Sequence, residues 1–370
     1  MNAPNKKTRV GIFFGGKSAE HEVALQSAKN VIEAIDPAKY DVTLIAVDKS
    51  GQWHHADAAG YLANEDDPKR IALAGSDHQM ALVPGELNDR LMAVSGGAAP
   101  PKLDVVFPVL HGPYGEDGTM QGLLRLADVA FVGADVLGSA VGMDKDVAKR
   151  LWRDAGLPTA RHVSLLYRDR ENVDAALIAE HIGLPCFVKP ANLGSSVGVR
   201  KAKTNEALAE AVAHAFEYDK KVIIEEYIEG REIECAVLGN DDPLASVLGE
   251  IVPKHEFYSY EAKYIDESGA DLRIPADLPD ELSDQVRRTA VRAFEVLNCE
   301  GMGRVDFFVT DGGAIYLNEI NTIPGFTKIS MYPKLWEASG IAYADLIDRL
   351  IQLALERHAR DRCLKTTYDL

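Results

Sequence analysis

Several common signatures are missing from this chain of 370 residues. No stretch approaches the roughly 18 consecutive apolar residues of a membrane-spanning helix. The first nine residues are polar and lack the apolar segment of a secretory signal. No C-x-x-C spacing and no Cys/His cluster of a zinc site occurs among the four widely separated cysteines, Cys186, Cys235, Cys299 and Cys363. We therefore expect a cytoplasmic protein with reduced cysteines.

Positive charge is also scarce. Lys and Arg together number 40 against 57 Asp and Glu, which leaves a formal net charge of −17. Such a surface repels nucleic acid and anionic lipid. We expect neither as a partner, and an anionic ligand must be met by a few well-placed cations.

Three catalytic or nucleotide-binding signatures are absent. No G-x-x-x-x-G-K-[ST] loop is present, and Gly15-Gly16 lacks the third glycine of G-x-G-x-x-G. His21-Glu22 is not followed by a second histidine, because position 25 is Leu. These absences disfavour a Walker-type nucleotide site, a dinucleotide-dependent oxidoreductase and a metalloprotease.

The chain is long enough for two or three domains of about 100–200 residues each. Near the N-terminus, short apolar runs at 10–14, 42–47 and 105–110 predict buried parallel strands. A helical pattern follows Ser18 and stops at Asp36-Pro37. The first third therefore reads as a doubly wound α/β domain.

The rest of the chain mixes helices with strands. Residues 140–180 read as mainly helical, and residues 254–275, which have no clean period, predict an active-site lid. Further patterns predict strands at 184–190, 222–226 and within 232–251, helices near 206–216, around 286–297 and at 344–358, and a hairpin of 304–309 with 314–320. Here we expect antiparallel α+β layers.

The segment Gly194-Ser-Ser-Val-Gly198 matches G-x-S-x-G, the pattern of a serine hydrolase with Ser196 as nucleophile. Such an elbow needs a helix directly after the serine, whereas Val197 to Lys201 has the pattern of a returning strand. A phosphate-covering loop fits better, because glycine-rich backbone N–H groups can surround a phosphate and Lys189 adds positive charge. A serine esterase stays open as the alternative.

A second constellation lies on the predicted hairpin. Asp306 on one strand comes opposite Glu319 and Asn321, which share a face of the next strand. Three converging oxygen ligands suit Mg²⁺ with phosphate and water in its remaining positions. Arg304 and the loop amides around Gly325, Ser330 and Met331 add groups that suit a carboxylate or an oxyanion.

Taken in order, these segments resemble the D-alanine–D-alanine ligase family of ATP-grasp enzymes, in its A-type branch. The resemblance runs from about Val10 to the C-terminal helix. The segments that carry it are Gly15-Gly-Lys-Ser-Ala-Glu-His-Glu22, His111-Gly112, Gly115-Glu-Asp-Gly118, Met143-Asp-Lys145, Val188-Lys-Pro190, Gly194–Gly198, Glu261-Ala-Lys-Tyr264, Gly303-Arg-Val-Asp306, Asn318-Glu-Ile-Asn-Thr-Ile-Pro-Gly325 and Ile329-Ser-Met-Tyr-Pro-Lys-Leu-Trp336.

The resemblance implies a three-domain ATP-grasp architecture, α/β and α+β in class, with an N-terminal doubly wound parallel-sheet domain. We expect boundaries at 1–133, 134–229 and 230–370, the last carrying the metal site and the lid. It implies ATP as co-substrate, two Mg²⁺ ions with Mn²⁺ as a substitute, D-alanine as substrate and a homodimer. The implied reaction joins two D-alanines through a D-alanyl phosphate for peptidoglycan synthesis.

The resemblance also implies a role for each residue that matches a family motif. Lys145 and Lys189 would contact ATP phosphates, Lys263 the transferring phosphoryl group, and Ser196 with its loop would cover it. Glu225 would take the adenine amino group, backbone at Glu226 and Ile228 the ring edge, and Glu232 the ribose. Asp306, Glu319 and Asn321 would hold the metal.

For the amino acids, Glu20 would hold the first ammonium in a triad with Ser195 and Tyr264, with His111 beside it. Ser330 and the Met331 amide would meet the second carboxylate, and Arg304 with the Gly325 amide would stabilise the oxyanion. Tyr at position 264 goes with dipeptide synthesis in this family, whereas Phe goes with D-lactate.

Two positions depart from the family pattern, Ala24 and Pro113-Tyr114. The alternatives are another ATP-dependent carboxylate–amine ligase and a non-catalytic nucleotide-binding module.

Overall fold

The computed structural model describes residues 6–56, 60–65, 67, 70–75, 78–85, 91–95, 100–254 and 270–368. Its first 131 residues contain a seven-stranded sheet in the order β7-β6-β3-β2-β1-β8-β9. The elements are β1 (Thr8–Gly15), α1 (His21–Ala34), β2 (Tyr40–Val47), β3 (Trp53–Ala56), β4 (Leu62–Ala63), β5 (Ala72–Leu73), β6 (Gln79–Leu82), β7 (Leu91–Ser95), β8 (Val105–Val109), α2 (Thr119–Leu126) and β9 (Ala130–Phe131).

The parallel strands predicted from apolar runs are β1, β2 and β8, and β9 joins them in parallel. Their residues are almost entirely buried, which is why continuous apolar runs mark them. Strands β3, β6 and β7 extend the sheet in antiparallel sense. This extension was not predicted, because its short strands mix buried and exposed residues.

The middle of the chain forms a four-stranded antiparallel sheet, β10-β13-β11-β12. Its elements, with the helices that precede them, are α3 (Val136–Met143), α4 (Lys145–Asp154), β10 (His162–Leu166), α5 (Ala175–Ile182), β11 (Cys186–Pro190), β12 (Arg200–Ala202), α6 (Asn205–Ala215) and β13 (Lys221–Glu226). Strand β10 interrupts the region predicted as mainly helical. That prediction is wrong there, because β10 is only partly buried and leaves no apolar run.

The last part holds a five-stranded antiparallel sheet in the order β16-β15-β14-β17-β18. Its elements are β14 (Arg231–Gly239), β15 (Leu244–Pro253), β16 (Ala270–Arg273), α7 (Asp280–Val296), β17 (Gly301–Val309), β18 (Ile315–Asn321), α8 (Met331–Ala338) and α9 (Tyr343–Arg362). The predicted hairpin is β17–β18, and the C-terminal helix is α9. The antiparallel α+β layers are thus confirmed.

Most of the predicted lid, residues 255–269, lies outside the described residues. The chain leaves β15 at Pro253 and returns in β16 at Ala270, and these two residues are paired in register. Ala270, Asp271 and Leu272 of β16 line a cavity described below. The first described residue after this segment, Ala270, thus lies at that cavity.

Helix α4 is anchored in the hydrophobic core between the middle and last parts of the chain. Asp144 caps its N-terminus by accepting a hydrogen bond from the Val147 N–H at 3.1 Å. Fully buried Trp152 packs in one cluster with Phe294 and Leu317, and its indole N–H donates to the Ala293 carbonyl at 3.0 Å. This anchoring fixes Lys145 and Lys149 of α4, which lie beside Glu319 of β18 and Glu225 of β13.

None of the helices in the described residues combines the length and the apolar character needed to cross a membrane.

Candidate active site

Two neighbouring cavities gather most of the residues singled out from the sequence. The smaller, about 380 Å³, is lined by Glu20, His111, Ser195, Arg304, Gly325, Ser330 and Met331, among others. The larger, about 570 Å³, is lined by Lys145, Lys189, Ser196, Glu225, Glu226, Ile228, Glu232 and others. Ser195, Ile251 and Glu319 line both. Lys263 and Tyr264 lie outside the described residues.

Glu20 and Ser195 meet across 175 positions of sequence, with the Ser195 hydroxyl donating to the Glu20 carboxylate. Glu20 is the residue before α1 and is 8% exposed. Ser195 and Ser196 both have left-handed backbone, with φ of +53° and +60°. Two adjacent non-glycine residues in this region store conformational strain, which is typical of functional loops.

The loop that carries these serines connects antiparallel strands β11 and β12. A nucleophile elbow instead places its serine between a strand and a helix. The local fold therefore disfavours the serine esterase alternative and agrees with a loop that covers a ligand.

His111 is buried between the N-terminal and C-terminal parts of the chain. Its Nδ1–H donates to the Ile323 carbonyl at 2.9 Å, and its Nε2 lies 3.1 Å from the Ser27 hydroxyl. Ser27 in turn accepts the Phe326 N–H at 3.1 Å, so its own proton is directed to Nε2. Burial lowers the pKa of His111 and favours this neutral form. Both ring nitrogens are therefore engaged by protein groups.

Glu116 is a site residue that the sequence analysis missed. Its carboxylate accepts the Gly112 N–H at 2.6 Å and the Ile323 N–H at 3.1 Å, which joins the His111 loop to the segment after β18. Burial and the nearby charge of Glu20 raise the pKa of Glu116 to about 8. Only the folded contacts distinguish this glutamate from Asp117 beside it.

A row of carboxylates crosses three adjacent strands. Glu234 of β14, Asp306 of β17 and Glu319 of β18 are paired in register. Arg304 lies over the row: its guanidinium donates to both Asp306 oxygens at 2.8 and 2.6 Å, and its Nε is 3.0 Å from Glu234. Such bidentate pairs hold the guanidinium in one orientation. Glu234 was not singled out from the sequence, although its alternation with Glu232 could have marked it.

The predicted metal ligands come together on β17 and β18. Asn321 donates an amide hydrogen to Asp306 at 3.0 Å, and Glu319 lies 3.1 Å from the Lys145 ammonium. Within the described ranges no group of three or more His, Cys, Asp or Glu side chains is arranged to hold a metal. The candidate set instead has two carboxylates and one amide, which fits Mg²⁺ because that ion commonly takes one or two protein carboxylates and completes its shell with phosphate and water.

The lysines of the larger cavity are paired with acidic side chains or with carbonyl oxygens. Lys189 of β11 donates to Glu225 at 2.6 Å and to the Asn318 side-chain oxygen at 3.3 Å, while Lys145 donates to the Leu193 carbonyl at 2.7 Å. Burial opposes the charged form of Glu225, but its lysine neighbours outweigh burial and hold its pKa well below the usual range. The Glu226 N–H is already donated to the Arg161 carbonyl at 3.0 Å, so a backbone contact with a ligand there would use the carbonyl oxygen.

At the far end of the smaller cavity, the chain turns into α8. Ser330 precedes this helix, its hydroxyl accepts the Thr327 N–H at 3.0 Å, and Met331 is the first helical residue. The close approach of Gly325 leaves no room for a side chain, since a Cβ there would lie 2.7 Å from the Ser330 hydroxyl. A helix N-terminus beside a hydroxyl group suits a carboxylate.

Comparison with known proteins agrees with this geometry. Residues 9–134 match the family model described as D-ala D-ala ligase N-terminus, and residues 151–352 match D-ala D-ala ligase C-terminus. The chain belongs to the D-alanine–D-alanine ligase family. A D-alanine–D-alanine ligase of Shouchella clausii is 57% identical over 98% of each chain. D-alanine–D-alanine ligase A of Escherichia coli K12 is also 57% identical, over 98% of this chain and 100% of the relative.

The D-alanine–D-alanine ligase fold is shown as well. The solved structure of the D-alanine–D-alanine ligase from Coxiella burnetii matches with a TM-score of 0.83 and 39% identity, covering 97% of each chain. The expected ATP-grasp class is thereby confirmed. As a member of this family, the chain is an ATP-dependent ligase that joins two D-alanines for peptidoglycan synthesis.

Proposed function

We propose that the two cavities divide the reaction between them, with the amino acids in the smaller and ATP in the larger. The observation that carries this division is their shared wall of Ser195, Ile251 and Glu319. A carboxylate in the smaller cavity and a γ-phosphate in the larger would meet there. Proximity of this kind replaces an improbable encounter in solution with a positioned attack.

The chemistry follows in two displacements. An oxygen of the first D-alanine carboxylate attacks the γ-phosphorus of ATP, the bond to the bridging oxygen breaks, and ADP leaves with its electron pair. The uncharged amine of the second D-alanine then attacks the acyl carbon of the D-alanyl phosphate. The bond from that carbon to the phosphate oxygen breaks, and phosphate leaves as hydrogen phosphate with the proton that the amine gives up. No side-chain nucleophile is needed, because positioning and charge neutralisation supply most of the catalysis in phosphoryl transfer.

For ATP, Lys145 and Lys189 would meet phosphates and Lys263 the transferring phosphoryl group, with Ser196 and its loop above them. Glu225 would accept the adenine amino hydrogens, Glu226 and Ile228 would contact the ring edge through backbone, and Glu232 would bind the ribose. These residues, apart from Lys263, line the larger cavity. These lysines offset the electrostatic repulsion between a polyphosphate and a protein whose net charge is −17.

For the amino acids, Glu20 would hold the first ammonium, oriented by Ser195 and by Tyr264. His111 lies with both nitrogens bound to protein, so it would shape this subsite by packing. The second carboxylate would bind the Ser330 hydroxyl and the Met331 amide. Arg304 and the Gly325 amide would stabilise the oxyanion that forms at the acyl carbon.

The metal ligands would be Asp306, Glu319 and Asn321. They would hold two Mg²⁺ ions, for which Mn²⁺ can substitute. When bound, the metal would neutralise charge on the ATP phosphates. Asp306 and Glu319 are both paired with protein cations, Arg304 and Lys145. These pairs place a cation beside each carboxylate, and Glu319 lies in the wall that the two cavities share.

The three domains at 1–133, 134–229 and 230–370, the homodimer and the cytoplasmic location are also part of this proposal. It rests on the family resemblance and, for the domains, on the three larger sheets.

The deciding experiment measures phosphate release from Mg·ATP by the purified protein, with products identified by mass. Parallel reactions contain D-alanine, L-alanine, or D-alanine with D-lactate. We expect phosphate release only in the first and third reactions, which contain D-alanine, with the dipeptide as the product of both. ATP hydrolysis that requires a different acid or amine would retain the nucleotide site and overturn the substrate assignment. No binding or turnover of ATP would overturn both.

Replacing Gly112 by Ala should raise the KM for D-alanine strongly. A Cβ at this position would lie 2.8 Å from a Glu20 carboxylate oxygen, so the carboxylate must move. The residue also has φ of +79°, which costs a non-glycine residue about 1–2 kcal/mol. Steady-state kinetics with varied D-alanine measure the effect.

Gly156→Ala is the matched control for Gly112→Ala. Gly156 has φ of +75°, and its Cβ would meet nothing within 4 Å. Both variants should lose similar stability in thermal unfolding, but only Gly112→Ala should change the KM. An equal KM for D-alanine in the two variants would contradict the assignment of Glu20 to the first D-alanine subsite.

A further inference from the structure

Among the described residues, Lys149 is the one buried lysine, with 1% of its surface exposed. It has no role in the assignments above. It follows Lys145 by one turn of α4, so both lysines lie on the same face of the helix. Its ammonium lies 3.0 Å from Glu225 Oε1 and 3.3 Å from the Leu317 carbonyl oxygen. Lys149 is absent from the wall of either cavity.

Glu225 is therefore held from two sides. Lys149 lies against one carboxylate oxygen, and Lys189 lies 2.6 Å from the other. The Glu225 side chain is itself 4% exposed. Two cations on different oxygens fix the plane of the carboxylate. Oε1 is fully buried, which leaves Oε2 as the oxygen with lone-pair capacity for a donor in the cavity.

The cost of this arrangement points to a role beyond packing. Removing two charges from water is expensive, and an apolar pair of similar volume would often be as stable. Burial lowers the pKa of Lys149, and the Glu225 charge opposes that shift. Lys189 alone would neutralise Glu225, so the second lysine adds orientation and leaves Lys189 available to a ligand in the cavity.

We propose that Lys149 is a positioning residue for nucleotide recognition, which holds the Glu225 carboxylate oriented to accept the amino hydrogens of adenine. This inference rests on the proposed role of Glu225. A carboxylate fixed in this way attracts the adenine amino group and repels the carbonyl oxygen that inosine carries at the same ring position. Lys149 thereby contributes to the preference for ATP over ITP without touching either nucleotide.

The test compares kcat/KM for ATP and for ITP in Lys149→Met, Lys149→Arg, Glu225→Gln and the double variant Lys149→Met/Glu225→Gln. Methionine keeps the unbranched shape of the lysine stem. We expect Lys149→Met to raise the KM for ATP about tenfold or more, with a smaller change in kcat, and to lower the ATP-over-ITP preference by a similar factor, since a hydrogen bond to a charged group is worth about 1.5–3 kcal/mol. Arginine should restore part of the preference.

Lys221→Met is the matched control. Lys221 lies on β13, as Glu225 does, and pairs with Asp144 at 2.7 Å and Asp146 at 3.3 Å at the N-terminal end of α4. Its loss should lower the thermal unfolding temperature and leave the ATP-over-ITP preference unchanged. A fall in preference equal to that of Lys149→Met would reduce Lys149 to a general structural role and overturn the inference.

The double variant keeps the inference testable if Lys149→Met does not fold, because it removes the Lys149 ammonium and the Glu225 charge together and leaves Lys189 with the neutral amide of Glu225→Gln and with Asn318 as partners. If Lys149 acts through Glu225, the double variant and Glu225→Gln should show the same ATP-over-ITP preference. A further change in the double variant would overturn the inference. An unchanged preference in Glu225→Gln itself would overturn the proposed role of Glu225, whereas a change there with none in Lys149→Met would overturn only the role of Lys149.

Discussion

Arg304→Ala is expected to lower kcat for dipeptide formation by about a hundredfold to a thousandfold, the usual effect of removing one oxyanion donor. In the proposed arrangement Arg304 faces the acyl carbon of the first D-alanine, and its guanidinium is fixed by Asp306 and Glu234. Turnover at saturating ATP and D-alanine measures the loss. Nucleotide binding, followed by calorimetry, should persist.

Stability must be followed in the same experiment. Without Arg304, the buried Asp306 and Glu234 carboxylates lose their shared cation, and breaking such a pair can cost about 3–5 kcal/mol. Arg304→Lys keeps a positive charge without the planar fork and should retain more stability than activity. Arg287→Ala, at an exposed arginine of α7, should change neither. A folded Arg304→Ala protein with near-normal turnover would refute the oxyanion role.

Asp306→Asn is expected to raise the Mg²⁺ concentration needed for half-maximal activity by more than about tenfold, since even outer-shell partners of a metal are worth 10- to 100-fold in affinity. The change removes one of the two carboxylates in the candidate metal set and keeps the shape of the side chain. Mg²⁺ titrations of activity, and Mn²⁺ binding followed by electron paramagnetic resonance with ATP present, measure the shift.

Glu234→Gln separates loss of a metal ligand from loss of an ion pair. Glu234 and Asp306 both hold Arg304, but only Asp306 belongs to the candidate metal set. The Gln variant can therefore change kcat through Arg304 and should leave the Mg²⁺ midpoint in place. An unmoved midpoint in Asp306→Asn, or equal shifts in both variants, would mean that Asp306 is not a ligand.

The strands that could be predicted are those whose burial shows in the sequence. The buried parallel strands β1, β2 and β8 and the β17–β18 hairpin follow from continuous apolar runs and a glycine turn. Strand β10 and the antiparallel extension of the first sheet were not predicted, because short and partly exposed strands have no continuous apolar run. Their pairing depends on neighbours that tertiary structure brings into place.

The candidate site divides in the same way. Motif residues such as Lys189, Asp306 and Glu319 were expected from their local sequence. The structure places Lys189 and Glu319 on the cavity walls and Asp306 behind them, in contact with Arg304 and Asn321 of the smaller cavity. Glu116 and Lys149 were given no role, although Glu116 lies in the motif Gly115-Glu-Asp-Gly118, because their local sequence does not show what either side chain contacts. Each is recognised only by burial and by a partner distant along the chain.

The sequence by itself therefore determined the family, the reaction and most of the residues assigned to chemistry, because ordered motifs record which functional groups are present. Tertiary structure alone decided how those groups are held. It seats Glu225 between two lysines and binds Arg304 to two carboxylates from adjacent strands. These arrangements depend on the packing of α4 and on strand register, and buried charges are stable only where that packing supplies their partners.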